Sequence, residues 1–244
     1  NLIGKDALSS INFFYPVSIT ISIVSSLVSC GAATCLSTCM GRQDHDEIRH
    51  LKSAVNITTA ASALIMAVGQ IPLAYLMIAS YHLDPEMSRM TWQYAIGVMI
   101  ATPFGLISTV GVYQMQIMGK MKYLLYLSVM EGLVNTGLDL LFVGPLDMGV
   151  AGAGYGSAGA NVIRCAVTVV ILWRTTDIYK TGGKRPRKGD VKEILSCGLP
   201  DGANTLMLAV QNYCIMQILL FAFGSDGGVI RGVCTFCFSL ANTT

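Results

Sequence analysis

Long apolar stretches alternate with short charged segments along the whole chain. Three stretches, at residues 7–41, 53–83 and 90–119, contain no Asp, Glu, Lys or Arg. About 20 consecutive apolar residues are enough for a helix to cross the hydrocarbon core of a bilayer. The pattern therefore predicts seven membrane-spanning helices, at about residues 8–40, 53–81, 91–118, 123–143, 150–173, 194–223 and from 229 onward.

Composition agrees with a membrane protein. Of the 244 residues, 53% are apolar and only 12% are charged, whereas soluble proteins carry about 25% charged residues. This composition excludes a soluble enzyme, a nucleic-acid-binding module and a secreted disulfide scaffold, and the net charge of +2 does not suggest a polyanionic partner. We predict an all-α polytopic helix bundle that contacts the lipid bilayer, has no enzymatic activity and needs no cofactor.

Basic residues predict the orientation of the bundle. The segments after the first, third and fifth spans hold twelve Lys and Arg residues, and the opposite side holds three, namely Lys5, Arg89 and Arg231. Lys and Arg are enriched in cytoplasmic loops, so the first set should face the cytoplasm. The protein is expected in the cell (plasma) membrane, with the basic segment at residues 174–192 as a cytoplasmic linker.

One glycine motif resembles the dinucleotide-binding loops of soluble enzymes. Residues 154–159 (GYGSAG) fit the G-x-G-x-x-G pattern, but a dinucleotide-binding loop requires a βαβ unit, and these glycines open an apolar span. Gly152 and Gly156 also form a G-x-x-x-G pair, which is typical of close helix packing in membranes. We interpret the motif as a packing surface.

Ionisable residues inside spans are costly and usually functional. With Arg231 assigned to the outer side, there are four: Glu131 and Asp139 in the fourth span, Arg164 in the fifth and Asp201 near the start of the sixth. Glu131, Asn135 and Asp139 recur every four residues, so they share one helix face. Asp139 is the strongest functional candidate. A buried packing role is the alternative for Asp139, Glu131 and Asp201, and for Arg164 the alternative is a side chain that reaches the cytoplasmic interface.

Several segments resemble the multidrug and toxic compound extrusion (MATE) transporters. They are SCGAAT at residues 29–34 with MGRQD at 40–44, DMGVAGAG at 147–154 and ILSCGLP at 194–200. The resemblance implies twelve helices in two lobes, of which this chain holds helices two to seven and part of helix eight. We therefore expect a fragment, with residues 1–173 in the N-terminal lobe, 174–192 as the linker and 193–244 as the start of the C-terminal lobe.

The resemblance also implies a cation site. In the family, an Asn and an Asp four residues apart on helix five, a Thr on helix six and an Asp on helix one bind the coupling ion. Asn135 and Asp139 match the helix-five pair, and Ser157 stands where the Thr is expected. The implied function is a secondary antiporter that exports amphipathic, often cationic, drugs or metabolites in exchange for sodium ions or protons. Such a protein is expected to be a monomer, and helix one lies outside this sequence.

The short connection between the fourth and fifth spans predicts a helical hairpin. If Asp139 lies level with Ser157, Glu131 lies level with residue 165, next to Arg164. Opposite charges within reach of each other offset the cost of placing each one in the membrane. We therefore predict a structural Glu131–Arg164 ion pair, away from the cation site.

Two other functions remain open at this level. A lipid-linked oligosaccharide flippase of the same superfamily would need cations in its cavity for pyrophosphate, and Arg164 is the one basic residue within the spans once Arg231 is assigned to the outer side. A seven-helix receptor would match the number of spans but predicts no second lobe.

Overall fold

The computed structural model describes residues 5–43, 45–175, 185–187 and 189–242. These residues form seven α-helices and no β-strand, and a single 3-10 turn at Gly224–Asp226 joins the last two helices. The helices are α1 (Lys5–Gly41), α2 (His45–Ser80), α3 (Pro85–Ile117), α4 (Met121–Val143), α5 (Gly149–Thr175), α6 (Asp190–Phe223) and α7 (Gly227–Asn242). The predicted all-α fold is confirmed.

Helices α1 to α6 are long and apolar enough to cross a membrane. Helix α7 lies at the seventh predicted span, but its 16 described residues are shorter than a full span. Helix α2 begins at His45 rather than near residue 53 because its first turn contains Asp46 and Glu47. Carboxylates near a helix N-terminus interact favourably with the helix dipole, so this helix extends past the apolar stretch that hydropathy detects.

Helix α1 lies at the centre of the bundle. It packs along α6 and against α2, α3 and α7, and α3 packs along α5. The main core contains Phe14, Val28, Leu106 and Ile194, each at most 1% exposed. Helix α4 packs on α5 and touches α3 only slightly. Most of the α4 surface within this chain is therefore exposed.

Glycines bring two pairs of helices into backbone contact. Gly31 of α1 faces Gly198 of α6, and Gly97 of α3 faces Gly154 of α5. A Cβ atom added to any of the four would overlap the backbone of the facing helix. Close approach through small residues is a common way to pack helices in membranes. The interpretation of the glycine-rich motif in α5 as a packing surface is thus confirmed.

The predicted cytoplasmic linker lies mostly outside the described residues, which omit positions 176–184 and 188. Of the basic residues counted there, Lys180, Lys184 and Lys188 fall in this undescribed part. The described part includes Arg185, whose carbonyl oxygen lies 2.6 Å from Nδ1 of His50 on α2. The division of the chain into two lobes and a linker stays a prediction.

Candidate functional site

A tight turn positions the predicted coupling residues. After α4 ends at Val143, the backbone N–H of Leu146 donates to Leu141 and that of Met148 donates to Phe142. Asp147 and Gly149 have positive φ values of 48° and 55°, a conformation that Asp and Gly adopt more readily than most residues. Helices α4 and α5 therefore form the predicted antiparallel hairpin, with the polar face of α4 directed at the glycine-rich half of α5.

Asp139 is the most notable group in this hairpin. Its Oδ1 atom is buried and has no hydrogen-bond partner among the described residues. The carboxylate packs against Gly156 of α5, where the Cβ of any other residue would overlap Oδ1. Tyr94 of α3 lies close enough to interact with the Asp139 charge. An unpaired acceptor on a partly enclosed carboxylate is suited to receive a proton or a cation.

Asn135 on α4 and Ser157 on α5 face each other across the hairpin, close to Asp139. The Asn135 Nδ2 atom donates to Ser157 Oγ across 3.4 Å. The Ser157 carbonyl oxygen accepts a second hydrogen bond, of 2.9 Å, from Asn161 Nδ2. The structure thus brings Asn135 and Ser157 together as predicted. Asn135 stands about 6 Å along α4 from Asp139, and Ser157 directly follows Gly156, which the Asp139 carboxylate contacts.

The donor atoms available at this site limit the ions that could bind. They are a carboxylate, an amide and a hydroxyl group, and oxygen ligands of this kind suit hard cations. The described residues contain no group of three or more His, Cys, Asp or Glu side chains that could hold a metal ion. A transition-metal centre is therefore not formed by the described part of the chain.

Glu131 and Arg164 are close enough to form an ion pair. Arg164 Nη1 donates to Glu131 Oε1 across 3.0 Å, and the two side chains are 18% and 30% exposed, respectively. Asp139 lies eight positions further along α4, which corresponds to about 12 Å. The distance predicted for this pair is therefore met, and the pair is separate from the candidate cation site. Its role in bracing the hairpin stays a prediction.

Asp201 lies at the contact between α1 and α6. Ser26 of α1 donates a hydrogen bond to the Asp201 carboxylate, and the Thr205 hydroxyl donates to Ser26 Oγ across 3.0 Å. The fourth ionisable residue predicted in the spans therefore links two packed helices.

Sequence reasoning missed three residues that matter here. Tyr94 and Gly156 contribute to the surroundings of Asp139, and nothing in a single sequence connects Tyr94 with that carboxylate. Arg231 was assigned to the outer side of the membrane, near the start of the last span, but it is only 5% exposed. The signal was available, because Arg231 falls after the start of the apolar stretch predicted from residue 229.

Comparison with known proteins supports the resemblance. The MatE family model matches residues 1–141. The multidrug export protein MepA of Staphylococcus aureus (strain NCTC 8325 / PS 47) is 21% identical over 221 residues, which is 89% of this chain and 49% of that protein. MepA of Staphylococcus haemolyticus (strain JCSC1435) is 21% identical over 220 residues, 89% of this chain and 48% of the relative.

Two solved structures show the same fold. The inward-facing conformation of a multidrug resistance MATE family transporter of the MOP superfamily superposes with a TM-score of 0.85 at 19% identity, over 93% of this chain and 52% of that one. A MOP superfamily transporter from Pyrococcus furiosus, whose structure is described as having a binding pocket of reverse polarity, gives a TM-score of 0.81 at 18% identity, over 97% and 53% of the two chains.

The fold and the buried polar hairpin define a multi-pass helical membrane protein. The family match covers more than half of the residues, and the chain belongs to the MatE family. It spans about half the length of the relatives that it matches.

Proposed function

We propose that this chain is part of a secondary antiporter that exports amphipathic, in many cases cationic, compounds across the plasma membrane in exchange for sodium ions or protons. Asp139 binds the coupling ion, and Asn135 and Ser157 supply neutral oxygen atoms nearby. Multidrug export in the two MepA relatives and the multidrug transporter fold support this assignment.

The buried, unpartnered Oδ1 atom of Asp139 carries the proposal. A buried acceptor without a partner costs free energy, and an ionised carboxylate in a membrane-embedded helix costs more. Binding of a proton or of Na⁺ removes that cost, so occupancy of the site changes the stability of the conformation that holds it. Coupling needs a difference of this kind in ion affinity between the conformations of a transporter.

The pairing of Arg164 bears on the flippase alternative. Arg164 was the cation that we considered as a partner for a pyrophosphate group, and the structure pairs it with Glu131. The resemblance of 93% of this chain to a transporter structure likewise gives no support to a seven-helix receptor.

The experiment is efflux by the full-length protein reconstituted in vesicles, with sodium and proton gradients imposed separately. We expect Asp139→Asn to abolish gradient-driven efflux while expression and the size-exclusion profile stay normal. The matched control is Asp147→Asn, which removes an exposed carboxylate from the adjacent turn and introduces a residue that tolerates positive φ. Normal efflux by Asp139→Asn would refute the assignment, and the gradient that drives wild-type efflux identifies the ion.

A further inference from the structure

A side chain of α2 supplies a hydrogen bond that α3 lacks. Pro103 lies inside α3, and proline has no backbone N–H group. In an uninterrupted helix, the N–H group at position 103 would donate to the carbonyl oxygen of Met99. The Nε2 atom of Gln70 on α2 donates to this oxygen instead, across 2.7 Å. The hydrogen-bond ladder of α3 is therefore completed from a neighbouring helix.

The surroundings of this bond make it more important than it would be at a protein surface. Gln70 is 3% exposed, and both α2 and α3 are long and apolar enough to cross a membrane. In the hydrocarbon core there is no water to pair with a free carbonyl group. The buried Oε1 atom of Gln70 has no partner among the described residues, so the amide stabilises the structure through its N–H group.

Pro103 also marks a point at which α3 has room to change direction. An open groove of about 560 Å³ lies along α2 and α3 beside this position, and its walls include Gln70, Pro103 and the exposed side chains of Ile100 and Phe104. A proline within a helix is a common site of bending. Because side chains do not fill the groove, the bond from Gln70 is a directional contact that limits the angle of the first half of α3, residues 85–102.

The first half of α3 packs on the stretch of α5 that contacts Asp139. Gly97 and the backbone of Tyr94 lie against Gly154 of α5. Two positions further along α5, Gly156 lies against the Asp139 carboxylate. Neither glycine of α5 has a side chain that could adjust to a movement. A shift of the first half of α3 is therefore transmitted to the backbone beside the carboxylate.

We propose that Gln70 is a positioning residue for the Asp139 site. By donating to Met99, Gln70 holds the first half of α3 at the angle that sets the backbone of α5 against the Asp139 carboxylate. Gln70 acts through α3 and does not itself bind the coupling ion. This inference rests on the proposed function of Asp139 and adds to it a residue from a third helix.

The first part of the test is Gln70→Leu in the full-length protein. This change leaves the Met99 carbonyl without a donor, so the equilibrium constant for unfolding in mixed micelles should rise about tenfold. The concentration of coupling ion that gives half-maximal efflux in vesicles should change by at least about threefold, with the maximal rate unchanged. If Gln70→Leu does not fold, Gln70→Asn, which keeps an amide but withdraws it from Met99, takes its place.

The second part of the test is rescue by Pro103→Ala. Alanine restores an N–H group at position 103, which can donate to Met99 within α3. The double variant Gln70→Leu with Pro103→Ala should therefore recover the stability and the ion dependence of the wild-type protein.

Two controls are matched to these changes. Gln93→Leu removes an exposed amide from α3 and should leave both measured values unchanged. Pro72→Ala restores an N–H group inside α2 and should not rescue Gln70→Leu, because it supplies no donor to Met99.

Two outcomes would overturn the proposal. An unchanged half-maximal ion concentration in Gln70→Leu would make Gln70 a packing residue only, even if stability falls. Failure of Pro103→Ala to rescue Gln70→Leu would show that Gln70 does not act through the Met99 carbonyl. The two proposals also fail differently, because normal efflux in Asp139→Asn refutes the coupling site, whereas normal ion dependence in Gln70→Leu refutes only the role of Gln70.

Discussion

The losses in free energy of unfolding caused by neutralising Glu131 and by neutralising Arg164 should not be additive. The pair joins α4 to α5 across 3.0 Å, with side chains that are 30% and 18% exposed. Glu131→Gln or Arg164→Gln leaves the opposite charge partly buried without its partner. The two substitutions together leave two neutral side chains, so the double variant should lose less stability than the sum of the single variants.

The size of this effect follows from the geometry. At an effective dielectric constant of about 20, two unit charges 3 Å apart attract each other by about 5 kcal/mol. Removing charges from water costs several kcal/mol per ion in a buried site, and the remaining exposure reduces this cost here. The coupling free energy of a half-buried pair should lie between the 0.2–1 kcal/mol of exposed pairs and the 3–5 kcal/mol lost on breaking a buried pair. We expect a coupling free energy of about 2 kcal/mol.

The assay is a double-mutant cycle on the free energy of unfolding, measured in mixed detergent micelles by the fluorescence of Trp92 and Trp173. Exchange of the two residues, Glu131→Arg with Arg164→Glu, should restore part of the stability that either charge reversal loses. Lys122→Gln removes an exposed charge from the start of α4 and serves as the control. Additive losses, with a coupling below about 0.5 kcal/mol, would refute the argument that this pair braces the hairpin.

Two glycine substitutions give further tests. Gly156→Ala places a methyl group against the Asp139 carboxylate, so ion-coupled efflux in vesicles should fall at least tenfold. Gly137→Ala, on the open face of α4, is the control and should retain efflux. Equal efflux by the two variants would contradict the proposed cation site. Gly198→Ala drives a methyl group into the backbone of α1 and should lower the free energy of unfolding by more than about 2 kcal/mol. Gly69→Ala, in open space on α2, should instead raise the free energy of unfolding by up to about 1 kcal/mol. A similar gain in Gly198→Ala would show that the α1–α6 contact is loose.

Hydropathy predicted the spans well because the bilayer imposes a length and a polarity on each helix. It was also predictable that Glu131 and Arg164 lie at the same height in the hairpin, since a short turn between antiparallel helices fixes which positions face each other. The contact of Asp201 with Ser26 was not predictable, because these residues are 175 positions apart and the packing of α6 on α1 depends on glycines whose partners a single sequence does not identify.

Arg231 shows a different limit of sequence reasoning. Hydropathy assigns a charged residue at the edge of an apolar stretch to the adjacent loop, because long basic side chains commonly reach the interface there. The structure instead turns Arg231 inward against Tyr15 and Asn212. The direction of a side chain near a helix end depends on its neighbours in space, which the order of residues does not reveal.

The first half of α5 lies between α4 and α3 and has small residues on both of the faces that contact them. Its buried positions include Gly154, which meets α3, and Gly156, which meets Asp139 of α4. Because these positions have no side chains, only the backbone of α5 separates Tyr94 of α3 from Asp139 of α4, and the two side chains are close enough to interact electrostatically. Packed helix axes are about 8–10 Å apart, so at an effective dielectric constant of about 20 a unit charge acts across one such spacing with about 2 kcal/mol. An ion that neutralises Asp139 therefore changes the electric potential on α3 before any helix moves.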